Sequence, residues 1–286
     1  MDGIFFLNLM EIFIVKSGYK FFGRLRRLFK GIGNVCWAAW QRNTMNHLII
    51  HRDKLVNNPF SLILPLLCGP VKGKLRCPPE LTILLMHNYQ YLTKMELCLR
   101  YVGIENHVVL RPQVKGLWRH TIKLEMIYTY LKSGACKTDY ILYCDSDDAM
   151  LRDDPEKAIR YLEEENCDLL VSCTKFTGRG YEYLPRAKAW ADKIAKEQGY
   201  PGWYLNAGVF VGRRPFLLEF LEIALAHSRD FYNHAKISSS ENIGMVSEWH
   251  SAFPEGCSSD QIIFRYLYPR FYPRMKIDYT QRLALK

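Results

Sequence analysis

The chain has 286 residues, 49% of them hydrophobic and 14% aromatic, with a net charge of +10. That length fits one large domain, or one domain with an extension, and the composition suffices for a sizeable core. Nine cysteines are scattered with no C-x-x-C pair, so zinc-site and thioredoxin chemistry find no support, and buried thiols in a reducing compartment are the expected state.

The charge is uneven. Residues 1–77 hold twelve Lys or Arg against three acidic residues, which is nine of the ten net positive charges. Residues 4–15 are apolar but shorter than the ~20 residues a membrane-spanning helix needs. No basic region precedes them, so a signal peptide is not expected. Phe22, Leu25, Phe29 and Ile32 share one helical face, while Lys20, Arg24, Arg27 and Lys30 lie mainly opposite. This is the pattern of a basic amphipathic helix at an anionic membrane surface, or of a helix packed on the protein with its charges in water. No recognised nucleic-acid motif accompanies the charge, so nucleic acid is not an expected partner. Another helix is expected over 34–56, broken at Asn57-Asn58-Pro59. A turn-rich linker from Gly69 to Pro79 ends this N-terminal extension, which is taken as 1–77.

From residue 78 strands and helices alternate. Leu81 to Met86 reads as a buried strand, Thr93 to Val102 as a helix closed by Gly103, Asn106 to Leu110 as a short strand, and Trp118 to Leu131 as a long helix. The next strand, Tyr140-Ile141-Leu142-Tyr143-Cys144, runs into Asp145-Ser146-Asp147-Asp148. Ionised carboxylates cannot stay inside a sheet without partners, so they must sit where the strand leaves it. That edge is where open α/β sheets bind ligands. Three crowded carboxylates repel one another, which a hard divalent cation such as Mg²⁺ or Mn²⁺ would relieve; an acidic turn with Asp as a helix cap is the alternative. A helix opened by Asp154 and Pro155 and a strand over Asp168 to Cys173 follow. This alternation predicts parallel pairing with covering helices.

A helix is expected near 186–197. In Leu205-Asn206-Ala207-Gly208 the Val209-Phe210-Val211 that follows is a strand, and Gly208 removes a side chain where something approaches or where the backbone turns. Asn206 both donates and accepts, which suits sugar hydroxyls, although a plain turn before a strand is the other reading. A helix over Phe216 to Ala226 precedes a long loop region, 227–257. Ser258 and Gln261 have capping-box spacing at the start of a helix over Ile262 to Tyr268, which leaves Asp260 in the first turn. Met275 to Tyr279 is the last expected strand.

Asp145-Ser146-Asp147-Asp148, Leu205-Asn206-Ala207-Gly208 and Ser259-Asp260-Gln261, in that order, resemble metal-dependent glycosyltransferases of the GT-A fold. In detail they look like the glycosyltransferase domain of collagen lysyl hydroxylases and related collagen glycosyltransferases, over roughly residues 80–280. The resemblance implies a Rossmann-like, mixed but mainly parallel sheet flanked by helices over 78–286. It also implies a nucleotide-sugar donor, usually UDP-linked, a glycan, lipid-linked or protein acceptor, and Mn²⁺ or Mg²⁺. On it, Asp145 with Asp147 or Asp148 would hold the metal, and Ser146 would join the donor site. Asn206, Ala207, Gly208 and Gln261 would line the donor sugar, and His87, Asn88 and Tyr89 would lie near the base. Arg119 and Lys123 would reach the donor phosphates, unless they are merely exposed helix charges, and Asp260 would contact sugar hydroxyls or assist the chemistry. The family's late His ligand has no counterpart after His250, which leaves His250 or no protein group as third ligand. A nucleotidyltransferase, an Asp-nucleophile phosphohydrolase and a non-catalytic sugar-binding protein are the rival readings. The basic helix and free thiols point to the cytoplasmic side of a membrane.

Overall fold

The computed structural model describes residues 49–51, 75–113, 118–175, 180–238 and 243–285. The chain forms β1 (Ile49–His51), β2 (Leu81–Met86), α1 (Lys94–Val102), β3 (Val108–Leu110), α2 (Ile122–Lys132), β4 (Tyr140–Cys144) and β5 (Ala149–Leu151). There follow α3 (Glu156–Glu164), β6 (Leu169–Thr174), α4 (Pro185–Glu197), β7 (Tyr204–Arg213), α5 (Arg214–His227), α6 (His234–Ser238), α7 (Ile243–Ala252), α8 (Asp260–Phe271), β8 (Met275–Ile277) and β9 (Ala284–Leu285). The fold is α/β: a mixed, mainly parallel sheet flanked by helices. The six-stranded sheet has the order β3-β2-β4-β7-β6-β8, and a three-stranded sheet has the order β5-β1-β9.

In the large sheet β2 pairs in parallel with β3 and β4, and β6 with β8, while β7 is antiparallel to both β4 and β6. Five strands therefore run one way and β7 runs against them. The strand alternation predicts parallel pairing and misses this reversal. Its consequence is local: the start of β7 lies at the same sheet edge as the end of β4.

Side chains of β4 alternate between two cores. Ile141 and Tyr143 join the larger one, with Phe210 and residues of α2, α4, α5 and α8. Leu142 and Cys144 join the smaller one, with α1 and α3. Both faces of the strand are thus covered, so its apolar run is continuous, and each fully buried Leu or Ile contributes about 1.5–3 kcal/mol. Helix α1 starts on a capping box, with Thr93 and Glu96 bonding each other's backbone N–H groups, and stops at Gly103 in the left-handed region, φ 94°.

Several sequence expectations shift. Where a helix was expected over 34–56, Ile49–His51 forms a strand, paired with β5 and β9. Helix α2 begins at Ile122 rather than Trp118, because residues 118–121 form the turn that leads into it. The expected loop over 227–257 contains α6 and α7. The amphipathic helix around Phe22 to Ile32 and the apolar stretch at 4–15 lie outside the described residues. Among the described residues no helix is long and apolar enough to cross a membrane. The seven described cysteines are free, and six of them are buried.

Candidate active site

The acidic motif leaves β4 as a turn pinned on every side. Asp145 N–H donates to the Gly208 carbonyl at 2.8 Å, which fixes it beside β7. The Ser146 hydroxyl donates to the Met86 carbonyl at 2.9 Å and accepts from Met86 N–H at 3.2 Å, and the Ser146 carbonyl accepts from Met95 N–H at 3.0 Å. Ser146 is buried, and these bonds make it the stitch between the turn, β2 and α1. Beyond Asp148 the chain enters β5 directly.

The carboxylates meet two ammonium groups. Lys94 Nζ donates to the Asp147 carbonyl at 2.9 Å and lies 3.2 Å from its Oδ2. Asp145 Oδ1 accepts from the Tyr143 hydroxyl at 3.1 Å and lies 3.8 Å from Lys123 Nζ. Tyr143 and Asp145 are two residues apart, so they share a strand face. Lys123 projects from the first turn of α2 into the interior. Its ammonium contacts Asp260 Oδ2, donates to the Ala207 carbonyl at 3.0 Å and sits 4.9 Å over the Tyr143 ring. Burial alone would push the Lys123 pKa down, but Asp260 and Asp145, with a further contribution from Asp148, outweigh it and hold the pKa above the usual lysine value. Burial also drives the Tyr143 phenol well up, so it is a neutral donor to Asp145.

Asp260 opens α8 after the cap residue Ser259, whose side chain accepts from Ile262 N–H. The cap is thus one residue later than the Ser258–Gln261 spacing suggests, and Gln261 is not part of a capping box. Instead Gln261 Oε1 accepts from Asn206 Nδ2 at 3.1 Å. Asn206 Oδ1 in turn accepts from Gly208 N–H at 3.1 Å, and its carbonyl accepts from the Ser172 hydroxyl at 2.8 Å. Asn206, Ala207 and Gly208 lie within β7, not in a turn before it. Arg265, fully buried, ties the same strand to α8 by donating from Nε to the Leu205 carbonyl at 3.1 Å.

On the other flank, His87 follows Met86, the last residue of β2. Its ring lies 2.9 Å from Glu96 Oε2 through Nε2, while Nδ1 accepts from Tyr89 N–H at 3.2 Å. Burial and the Arg111 guanidinium lower the His87 pKa more than Glu96 restores it. Burial works against ionised Glu96, yet the two Thr93 hydrogen bonds, with His87 and Arg111, hold its carboxyl below the usual range. Tyr89 stacks on His87 at 5.7 Å and on Tyr91 at 4.9 Å between ring centroids. Asn88, Tyr89 and Tyr91 are exposed.

The three sequence motifs are therefore gathered at one sheet edge, with Lys123 between the first and the third. Arg119 takes another course: it pairs with Asp230. His250, the possible third ligand, faces the Tyr232 hydroxyl at 2.7 Å and stacks on His234 at 4.0 Å. Oxygen donors on one partly exposed turn fit a hard divalent cation in kind, and Asp145, Asp147 and Asp148 are the residues that would hold it. Among the described residues no group of three His, Cys, Asp or Glu side chains converges in a metal-binding arrangement. Sequence reasoning missed Lys94, Tyr143 and Arg265. Only Tyr143, at i−2 from Asp145 on a strand, carried a local signal. A cavity of about 500 Å³ lies at the opposite edge, where the charges of Asp168, Arg213 and Arg274 answer one another.

No family model matches the sequence, and a search of curated proteins finds no match. Among solved structures the chain is similar to the crystal structure of a glycosyltransferase involved in the glycosylation of the major capsid of PBCV-1. The two share 18% identity over 70% of this chain and 82% of that one, with a TM-score of 0.38. A likeness at that level carries no argument about activity, and the functional reading rests on the site itself.

Proposed function

We propose that this chain is a glycosyltransferase that moves a sugar from a nucleotide-sugar donor, UDP-linked, to a hydroxyl acceptor. One observation carries the reading: the acidic turn, the start of β7 and Asp260 meet around one buried ammonium, Lys123, at a single sheet edge. A site that mixes carboxylates, a buried cation and a half-exposed aromatic stack suits a ligand that is part diphosphate, part sugar and part base.

In this reading the Tyr89–Tyr91 stack and Asn88 receive the base, and the diphosphate lies over the acidic turn, on the exposed side of the Asp145–Lys123 contact. A divalent cation held by Asp145 with Asp148 or Asp147 would neutralise charge on the leaving diphosphate. Lys123 supplies fixed positive charge in a place shielded from water, where electrostatic stabilisation is strongest. Asn206 and Gln261 brace each other, so their contribution is to hold the wall of the sugar site in place. Asp260 is the candidate base towards the acceptor hydroxyl. Its pairing with Lys123 has a consequence: a phosphate that engages Lys123 draws the ammonium away and leaves a carboxylate oxygen available. The basic N-terminal stretch and the free thiols support a place at the cytoplasmic face of an anionic membrane.

The test is release of UDP from a panel of UDP-sugars, with Mn²⁺ and with EDTA. Release that needs Mn²⁺ and is lost in Asp145→Asn supports the proposal. Turnover of nucleoside triphosphates with no use of any nucleotide sugar overturns it in favour of nucleotidyl transfer.

A further inference from the structure

Two exposed aromatic residues flank the Arg119–Asp230 ion pair. Trp118 precedes Arg119 and is 40% exposed; Phe231 follows Asp230 and is 45% exposed. One segment leads into the candidate site and the other is hydrogen-bonded to a segment that does. Arg119 and His120 carbonyls accept from Ile122 and Lys123 N–H groups, so the Trp118 segment forms the lead-in turn of the helix that carries Lys123. Arg229 N–H donates to the Cys257 carbonyl at 3.0 Å, and Cys257 lies three residues before Asp260. Gly256 fits there only without a side chain: its φ is +80°, and a Cβ would meet Ser228 and Arg229 backbone at 2.8 Å.

These contacts close a ring. Lys123 touches Asp260, the Asp260 segment is bound to the Arg229–Phe231 turn, and Asp230 returns to Arg119, one helical turn before Lys123. The rim is thus fixed by a hydrogen bond, a close backbone approach and two ion pairs, while its aromatic groups face water.

We propose that Trp118, Arg119, Asp230 and Phe231 form the acceptor subsite, and that its ligand is a saccharide. This rests on the glycosyltransferase reading. An aromatic surface covers the apolar C–H side of a pyranose, and a partly exposed guanidinium and carboxylate supply a donor and an acceptor for its hydroxyls. Both side chains of the pair remain more than a third exposed, so neither is saturated by the other. A purely apolar ligand would leave that pair without purpose, and a polyanion would meet Asp230. Seated there, a saccharide lies on a rim whose Arg229–Phe231 turn is hydrogen-bonded to the segment that leads into Asp260, the candidate base.

The experiment is saturation-transfer NMR from the full chain to methyl glucoside and methyl galactoside, with no donor present. Wild type and Tyr183→Ala, an exposed aromatic outside the rim, should give signal. Trp118→Ala and Phe231→Ala should lower it by about tenfold, the loss expected for an aromatic anchor, and Trp118→Phe should keep most of it. No signal from wild type, or equal signal from all variants, overturns the proposal. UDP release by the same wild-type sample tests the underlying reading separately, since it requires no acceptor.

Discussion

Lys123 on α2 and Asp260 on α8 form an ion pair in which the two side chains are only 7% and 8% exposed. The two helices lie on the same face of the sheet and share its larger core. The pair is thus a structural bridge as well as the centre of the candidate site. Removing one partner leaves an uncompensated buried charge, which costs about 3–5 kcal/mol. Lys123→Met should lower unfolding free energy in urea by that order and abolish UDP release. Lys123→Met with Asp260→Asn should recover most of the stability and none of the activity. If the double variant is as unstable as the sum of the singles, the pair is not coupled.

Asp147 and Asp148 should part company in mutagenesis. Asp147 is held by Lys94 at both its carbonyl and its carboxylate, whereas Asp148 contributes to the field at Lys123. Asp148→Asn should reduce UDP release by about a hundredfold or more, and Asp147→Asn by less than about tenfold. The reverse order would favour Asp145 and Asp147 as the metal-holding pair.

His227 sets a pH dependence. It is buried at the end of α5, where Nδ1 faces the Ile223 carbonyl at 2.8 Å and the ring packs edge-on to Trp249. Burial pushes its pKa down to about 4. The unfolded chain therefore binds a proton near pH 6.5 that the folded chain refuses until about pH 4. The His227 contribution is complete above about 6.5 and is lost as pH falls towards about 4, a total of about 3 kcal/mol. Urea midpoints of wild type and His227→Phe should converge or cross over that window. Parallel curves would show that His227 titrates normally.

Gly180 faces α8 at close quarters. Its φ is +129°, and a Cβ would lie 2.5 Å from Ile262 Cγ1. Gly180→Ala should cost about 2 kcal/mol or more, from strain and overlap together. Adding Ile262→Ala should relieve only the overlap. Full recovery in a thermal melt would mean that the backbone conformation is not strained.

The basic N-terminal stretch should bind anionic vesicles. Deleting residues 1–33 should abolish sedimentation with phosphatidylserine-containing liposomes, and raised salt should weaken it. Unchanged binding by the shortened chain would remove the membrane proposal.

The strands that carry the site were legible because each is a long apolar run with both faces covered, as in Leu81–Met86 and Tyr140–Cys144. The same property hid the direction of β7: with nine of ten residues buried, Tyr204–Arg213 shows no alternation from which to infer its neighbours. The strands β1, β5 and β9, of two or three residues, show no period and were not legible, whereas the equally short β3 and β8 were legible as parts of longer expected runs, 106–110 and 275–279. The ordered motifs lie at one sheet edge. Gln261 misled because its capping-box spacing is local, while its partner Asn206 lies 55 positions away. Lys123 reads as a donor-phosphate contact or as an exposed helix charge, and nothing near it in sequence reveals that it is buried.

The three-stranded sheet places the acidic turn between two anchors. β4 fastens one end in the large sheet, and β5 fastens the other against Ile49–His51, itself paired with Ala284–Leu285. Segments from far apart along the polypeptide thus share a seam directly behind Asp148. Damage to that seam, by a cut near residue 50 or by loss of the last few residues, would loosen the acidic turn without altering any of its own side chains.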